Sequence, residues 1–245
     1  MSELLTIPPH AGFNFTKTLQ KDTYPLISPL TPSGSHKSHP ISITGASKGL
    51  GRRLALSFAQ SRALALDAFG DAGLDISVNN AGWAESVRVM GEVEVEVRDW
   101  WHTWEVDAMG LFASTSMEKT IVNMSSMGAH LMGPGVTSAY QTSKLAVLRL
   151  TELMNVDHGP QDLLAYSIHP GGVLTDIVLR MPPEVQRALT DTPALSADSI
   201  AFLTREERMA GWAFECAIGT WDMEELFSRK DEFVSGDKLK VRMVL

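Results

Sequence analysis

The 245-residue sequence predicts an α/β fold whose parallel sheet is covered by helices on both faces, and three observations carry that prediction. From Ile41 onward short apolar runs alternate with stretches of helical period, and a glycine-rich turn joins the first run to the first helix. The composition, 44% apolar and 20% charged, is that of one globular unit with a sizeable core.

Residues 1–40 stand apart as an N-terminal arm. They hold six of the twelve prolines and the polar stretch Ser33-Gly34-Ser35-His36-Lys37-Ser38-His39, so neither helical nor strand period survives. An extended surface arm is expected, anchored by Phe13, Phe15, Tyr24 and Ile27. Residues 41–245 read as a single domain. Ile41 to Thr44 forms a strand, Gly45 to Gly49 a turn, and Gly51 to Gln60 a helix with Leu54, Ala55 and Phe58 at helical spacing. A helical stretch, Ala63 to Phe69, precedes the strand Asp75 to Asn79. A long helix from Asp99 to Ser116, a strand from Thr120 to Met124, a helix from Ser138 to Asn155 and a strand from Leu163 to Ile168 follow. Helical crossovers between consecutive strands require parallel pairing.

Charge and cysteine content narrow the function. A net charge of −8 and the lack of any Lys/Arg block argue against nucleic acid and anionic lipid as partners, leaving small molecules or protein. Cys216 is the only cysteine, so an intrachain disulfide and a cysteine-based zinc site are excluded, and no metal is expected. No run reaches the length of a membrane span, and the opening residues lack the basic and apolar regions of a secretory signal; a cytoplasmic location is expected.

The turn Thr44-Gly45-Ala46-Ser47-Lys48-Gly49-Leu50-Gly51 lies between strand and helix, where backbone N–H groups and the helix dipole hold a pyrophosphate. Gly45 permits the tight turn, Gly49 lets a ligand approach the backbone, and Gly51 lets the helix lie near the strand. Steric needs alone also put glycines in such turns. The same residues fit G-x-S-x-G, the nucleophile elbow of serine hydrolases, with Ser47 as nucleophile. Against that reading, the downstream His169 precedes Asp176, reversing the acid-then-histidine order of that fold.

Four further signals fall at C-terminal ends of strands or just beyond: Asn79-Asn80-Ala81-Gly82, Ser126, Tyr140-Gln141-Thr142-Ser143-Lys144, and Pro170-Gly171-Gly172-Val173-Leu174-Thr175. Tyr140 and Lys144 are four apart on one helix face, so an ammonium lies close to a phenol that at pKa ~10 exchanges protons poorly at neutral pH. With TGxxxGxG, NNAG, Ser, YxxxK and PGxxxT in this order, the chain from Thr44 to Asp176 resembles the short-chain dehydrogenase/reductase family. The arm segment Tyr24 to Pro29 and the tail segment Trp221 to Leu226 are similar to fungal members, many of which serve secondary metabolism.

The resemblance implies a Rossmann-like doubly wound parallel sheet and hydride transfer between a nicotinamide cofactor and a carbonyl or alcohol of a small, moderately apolar substrate. It implies that Tyr140 exchanges a proton with the substrate oxygen, that Ser126 hydrogen-bonds that oxygen, and that Lys144 lowers the tyrosine pKa and holds the nicotinamide ribose. Gly45, Ser47, Lys48, Gly49, Leu50 and Gly51 would bind the pyrophosphate end. Asn80, Ala81 and Gly82 would form the wall beside the adenosine ribose, and Pro170, Gly171, Val173 and Thr175 would hold the carboxamide. Lys48 places a cation near an adenosine 2′-phosphate, which favours NADP over NAD. The segment after Thr175, with Ile177, Val178, Leu179, Met181 and Leu195, would supply an apolar substrate wall, and a helix packed against the sheet would read the same. Trp100, Trp101 and Trp104 suit a core or subunit contact, and a homo-oligomer is expected.

Two departures stand out. Where the family places a catalytic Asn in the long helix this chain has Asp107, which keeps the shape and loses a donor. And only 34 positions separate Gly45 from Asn79, room for little more than one βαβ unit, so two strands of the first half are expected to be missing. Ile41 to Thr44 would then be an edge strand needing cover. A truncated relative or non-catalytic subunit that binds cofactor weakly is therefore the alternative reading, with the Ser47 hydrolase a remote third.

Overall fold

The computed structural model describes residues 11–31, 36, 39–61, 74–87, 89, 97–115, 118–132, 137–205 and 217–243. Five parallel strands, β1 (Ile41–Ile43), β2 (Ile76–Asn79), β3 (Thr120–Met124), β4 (Leu164–His169) and β5 (Ala217–Ile218), lie side by side in chain order. β2, β3 and β4 are buried along their whole length, which is why they read as continuous runs and not as alternating ones.

Helix α1 (Gly49–Gln60) follows β1. After β2, α2 (Val97–Trp104) continues through a π-helical turn, Glu105–Gly110, into α3 (Leu111–Ala113). α4 (Ser138–His158) leads into β4; α5 (Pro183–Ala188) and α6 (Pro193–Arg205) lie between β4 and β5; α7 (Met223–Ser228) and α8 (Lys230–Ser235) come after β5. Successive strand residues point to opposite faces, so each central strand feeds two cores. Val122, Met124, Leu164 and Tyr166 pack with Leu54 and Phe58 of α1 and with Ile200 of α6. Ile121 and Ala165 pack on the other side with Leu111 of α3 and Val147 and Met154 of α4. The result is a three-layer α/β/α arrangement. Beneath the second face a buried polar chain ties strand to strand to helix: Asn79 Nδ2 donates to Asn123 Oδ1 at 2.9 Å, and Asn123 Nδ2 donates to Thr151 Oγ1 at 2.9 Å.

Among the described residues β1 pairs with β2 alone and no further strand lies beyond it, as the short spacing to Asn79 predicts. The expected helix Ala63 to Phe69 and Cys216 fall outside the described residues. Described arm residues do pack on the domain. Ile27 is fully buried in the first core, Tyr24 Oη accepts from Met223 N at 2.8 Å, and the Arg229 guanidinium stacks on Phe15 at 3.8 Å. His36 bridges Ser61 at the end of α1 and Thr204 of α6, and burial pulls its pKa down to about 4.

Candidate active site

A closed left-handed turn begins the site. Gly45 has φ +67, and a Cβ there would lie 3.0 Å from Ala81 Cα. A side chain on Gly51 would overlap the Gly45 carbonyl oxygen, so α1 can start this close to β1 only with glycine there. α1 starts at Gly49, two residues before the predicted Gly51, with Lys48 as an extended N-cap residue that makes no capping bond and with no acid in the first turn. Uncapped N–H groups at a helix start suit an anion. The Leu50 side chain is buried in the first core, which leaves its backbone to face the turn. Ser47 is exposed. Lys48 is also exposed and pairs with Asp176 of the segment after β4.

The loop after β2 is fastened to this turn. Thr44 Oγ1 accepts from Asn80 N and Ala81 N, each at 3.0 Å, and Asn80 Nδ2 donates to Thr44 O at 3.0 Å. Asn80 thus braces the turn with its side chain. A Cβ on Gly82 would sit 3.4 Å from Asp107 Oδ1, 3.5 Å from Ile177 Cδ1 and 3.6 Å from Lys144 Nζ. Those four residues therefore meet at one point of the cleft.

Ser126, Tyr140, Lys144 and Asp107 converge as predicted. The Ser126 hydroxyl and the Tyr140 phenol interact, and Ser126 Oγ accepts from Gly128 N at 3.0 Å. Lys144 Nζ lies 5.5 Å from the Tyr140 ring centroid, donates to Met124 O at 3.1 Å and pairs with Asp107 Oδ1 at 3.4 Å. Asp107, fully buried in the π-helical turn, also accepts from Trp83 N at 3.0 Å and from Ser143 Oγ at 2.9 Å. Both carboxylate oxygens accept, so the donor an asparagine would offer is absent. One expectation is overturned here. The Tyr140 pKa is raised, not lowered: burial pushes it up, the Asp107 charge adds to that, and the Ser126 hydrogen bond only partly offsets them. Lys144 spends its charge on Asp107.

The segment after β4 forms the opposite wall. Val173 is buried and bridged to Asp191, whose Oδ2 also accepts from Gly172 N at 2.6 Å; Gly171 has φ +89. The Pro170 carbonyl is held by the Ser196 hydroxyl, and Thr175 Cγ2 lies 3.9 Å from where a Cβ on Gly49 would be, so this wall faces the glycine turn. Arg180 stacks on Trp83 at 4.1 Å and reaches Ala84 O at 3.4 Å. Of the predicted substrate wall, Ile177 reaches the cleft, while Leu195 is corrected: it is buried in the first core on α6.

One residue of this region was invisible in the sequence. Glu85, buried three residues past Gly82, accepts from Ala139 N at 2.6 Å and from Tyr140 N at 3.0 Å. Nothing in a linear pattern links it to a helix more than fifty residues on.

The residues fit a nicotinamide dinucleotide at its pyrophosphate and nicotinamide ends. Uncapped N–H groups start α1, Gly82 opens the cleft in front of Lys144, and the buried Trp83 Nε1 lacks a partner among the described residues. No described strand beyond β1 walls the adenosine end. The hydrolase reading finds no geometry: no described residue hydrogen-bonds to Ser47, and His169 is a buried base with an unpartnered Nδ1, pulled down to about 4 by burial and by His130. Among the described residues no group of three metal-ligating side chains converges, and no described helix is long and apolar enough to cross a membrane.

Comparison with known proteins agrees with this geometry. A family model described as enoyl-(acyl carrier protein) reductase matches residues 59–198. A short chain dehydrogenase of Monascus purpureus is 37% identical over 301 aligned positions, covering 98% of this chain and 100% of the relative; one of Emericella variicolor is 32% identical, covering 94% and 96%. Aligned lengths beyond 245 mean that these relatives carry segments with no counterpart here. In fold, the chain is similar to a 3-oxoacyl-[acyl-carrier protein] reductase of Brucella melitensis, TM-score 0.63 at 23% identity, covering 82% of this chain and 96% of that one. A 3-ketoacyl-(acyl-carrier-protein) reductase of the same organism, solved with NADH, gives TM-score 0.63 at 19% identity, covering 75% and 97%.

Proposed function

The chain belongs to the short-chain dehydrogenase/reductase family, and from that membership we propose that it moves a hydride between NADP(H) and a carbonyl or alcohol of a small, moderately apolar organic substrate. The observation that supports this reading most is the meeting of Ser126, Tyr140 and Lys144 in front of Gly82. When bound, the dihydronicotinamide supplies the hydride. Ser126 hydrogen-bonds the substrate oxygen and Tyr140 gives it a proton. Lys144 would hold the nicotinamide ribose, and Pro170, Gly171, Val173 and Thr175 would hold its carboxamide. A phenol whose pKa is raised stays protonated at neutral pH, which suits it to carbonyl reduction better than to alcohol oxidation. The choice of NADP rests on Lys48, which would leave Asp176 for a 2′-phosphate. Exposed Trp101, Met109 and Phe112 along α2–α3 support a homo-oligomer.

A second reading, a relative that keeps the catalytic residues and binds cofactor weakly, is favoured by one observation, the lack of a described strand beyond β1. Fluorescence titration with NADPH and NADH separates the two. The reductase reading expects saturable binding, tighter for NADPH, and NADPH-dependent carbonyl reduction that Tyr140→Phe lowers by about 10²–10⁴-fold. No binding of either cofactor at millimolar concentration overturns it.

A further inference from the structure

We propose that Glu85 is a positioning residue, which sets the first turn of α4 and through it the placing of the Tyr140 hydroxyl. The inference rests on the proposed role of Tyr140. α4 opens at Ser138 after Thr137, whose side chain makes no capping bond. The first N–H groups of a helix have no partner within it, and here they lie inside the protein. Ala139 is fully buried, and both its N–H and that of Tyr140 end on the Glu85 carboxylate, one on each oxygen.

Three donors converge on this carboxylate, since Thr103 Oγ1 of α2 also reaches Oε2 at 3.4 Å. Burial raises the Glu85 pKa, while the Ala139 and Tyr140 N–H groups, at the positive end of the helix dipole, favour its ionised form. The two oxygens engage consecutive N–H groups. They therefore fix both the direction and the rotation of the turn on which Tyr140 stands. Glu85 also sits in the loop that contains Gly82 and Trp83, and Trp83 N binds Asp107. One rigid connection thus runs from the wall of the cofactor cleft to the backbone of the proton donor. Trp100 adds a second tie from α2, its Nε1 donating to Ser138 Oγ at 3.1 Å.

Orientation errors of an ångström at a reacting group cost up to about a hundredfold in rate. Glu85→Ala should lower kcat by about ten- to a hundredfold while KM and the NADPH dissociation constant stay within about twofold. Amide hydrogen exchange at Ala139 and Tyr140 should rise by at least about tenfold while that at Val147 and Leu148 is unchanged. Glu85→Gln keeps the shape but sets an NH2 against one of the two N–H groups, so it should speed exchange at one of the two amides and lower kcat by about tenfold. Exchange at Ala139 and Tyr140 equal to wild type in either variant overturns the proposal. So does a rise spread evenly along α4, since that reports general loosening. If the wild-type chain proved to transfer no hydride, the reductase reading would fall, and the exchange measurement would still decide whether Glu85 holds this turn.

Discussion

Tyr140 stands between the Ser126 hydroxyl, which favours its ionisation, and a carboxylate that opposes it, and the carboxylate belongs to Asp107. In reduction the phenol must be protonated, so a raised pKa keeps the rate flat up to strongly alkaline pH; oxidation needs the phenolate and climbs with pH over that same range. Asp107→Asn removes the charge and keeps an acceptor for Trp83 N. The tyrosine pKa then falls, and both limbs should move toward acid by about one unit. Oxidation at pH 9 should rise about tenfold as a result. Superimposable pH–rate profiles for wild type and Asp107→Asn would refute this. The convergence of Ser126, Tyr140, Lys144 and Asp107 was legible because Ser126 follows a strand, Tyr140 and Lys144 stand four apart near the start of a helix, and Asp107 lies in the long helix where the family places Asn. The pairing of Lys144 with Asp107 was not, because a missing donor in a sequence does not reveal which cation the carboxylate will take.

β2, β3 and β4 were legible almost to the residue, since a strand buried on both faces must be a short apolar run. The long helix was found but not its π-helical turn at Glu105–Gly110, a local change of hydrogen bonding that needs no special residue and that commonly marks functional sites. It brings Asp107 inward. β5, only Ala217–Ile218, is too short to show a period, and α6 is apolar on so many sides that it passed for a substrate wall. The arm was read from its prolines as a surface segment anchored by residues that include Tyr24 and Ile27, and Ile27 has no exposed surface and joins the first core beside Tyr24. Ile27→Ala should therefore cost about 2–4 kcal/mol, the loss typical of an isoleucine core site, in chemical denaturation. A change below about 0.5 kcal/mol, usual for a surface substitution, would mean that the arm does not pack on the domain in solution.

The order of the strands carries a consequence for the molecule as a whole. Every step from β1 to β5 runs the same way across the sheet, yet α1 packs on the face shared with α6 while α3 and α4 pack on the other. Steps in one direction past helices on opposite faces have opposite hands. About 98% of parallel crossovers are right-handed. If those through α3 and α4 follow that rule, the connections that carry α1 and α6 have the opposite hand. An α1 that led instead to strands on the far side of β1 would be right-handed in its present position. The aligned relatives are long enough to carry such strands, and the 34 positions from Gly45 to Asn79 are not. The chain thus keeps α1 where a wider sheet needs it, with β1 the outermost described strand and no described wall for an adenosine. Replacing residues 61–75 with the segment that joins the same helix and strand in the Monascus purpureus relative should restore the right-handed path. NADPH affinity should then rise at least about tenfold, the effect of one added set of adenosine contacts worth about 1.4 kcal/mol. It should do so without any change in Ser126, Tyr140 or Lys144. Equal affinities in a folded chimera would show that the shortened half already binds the whole cofactor.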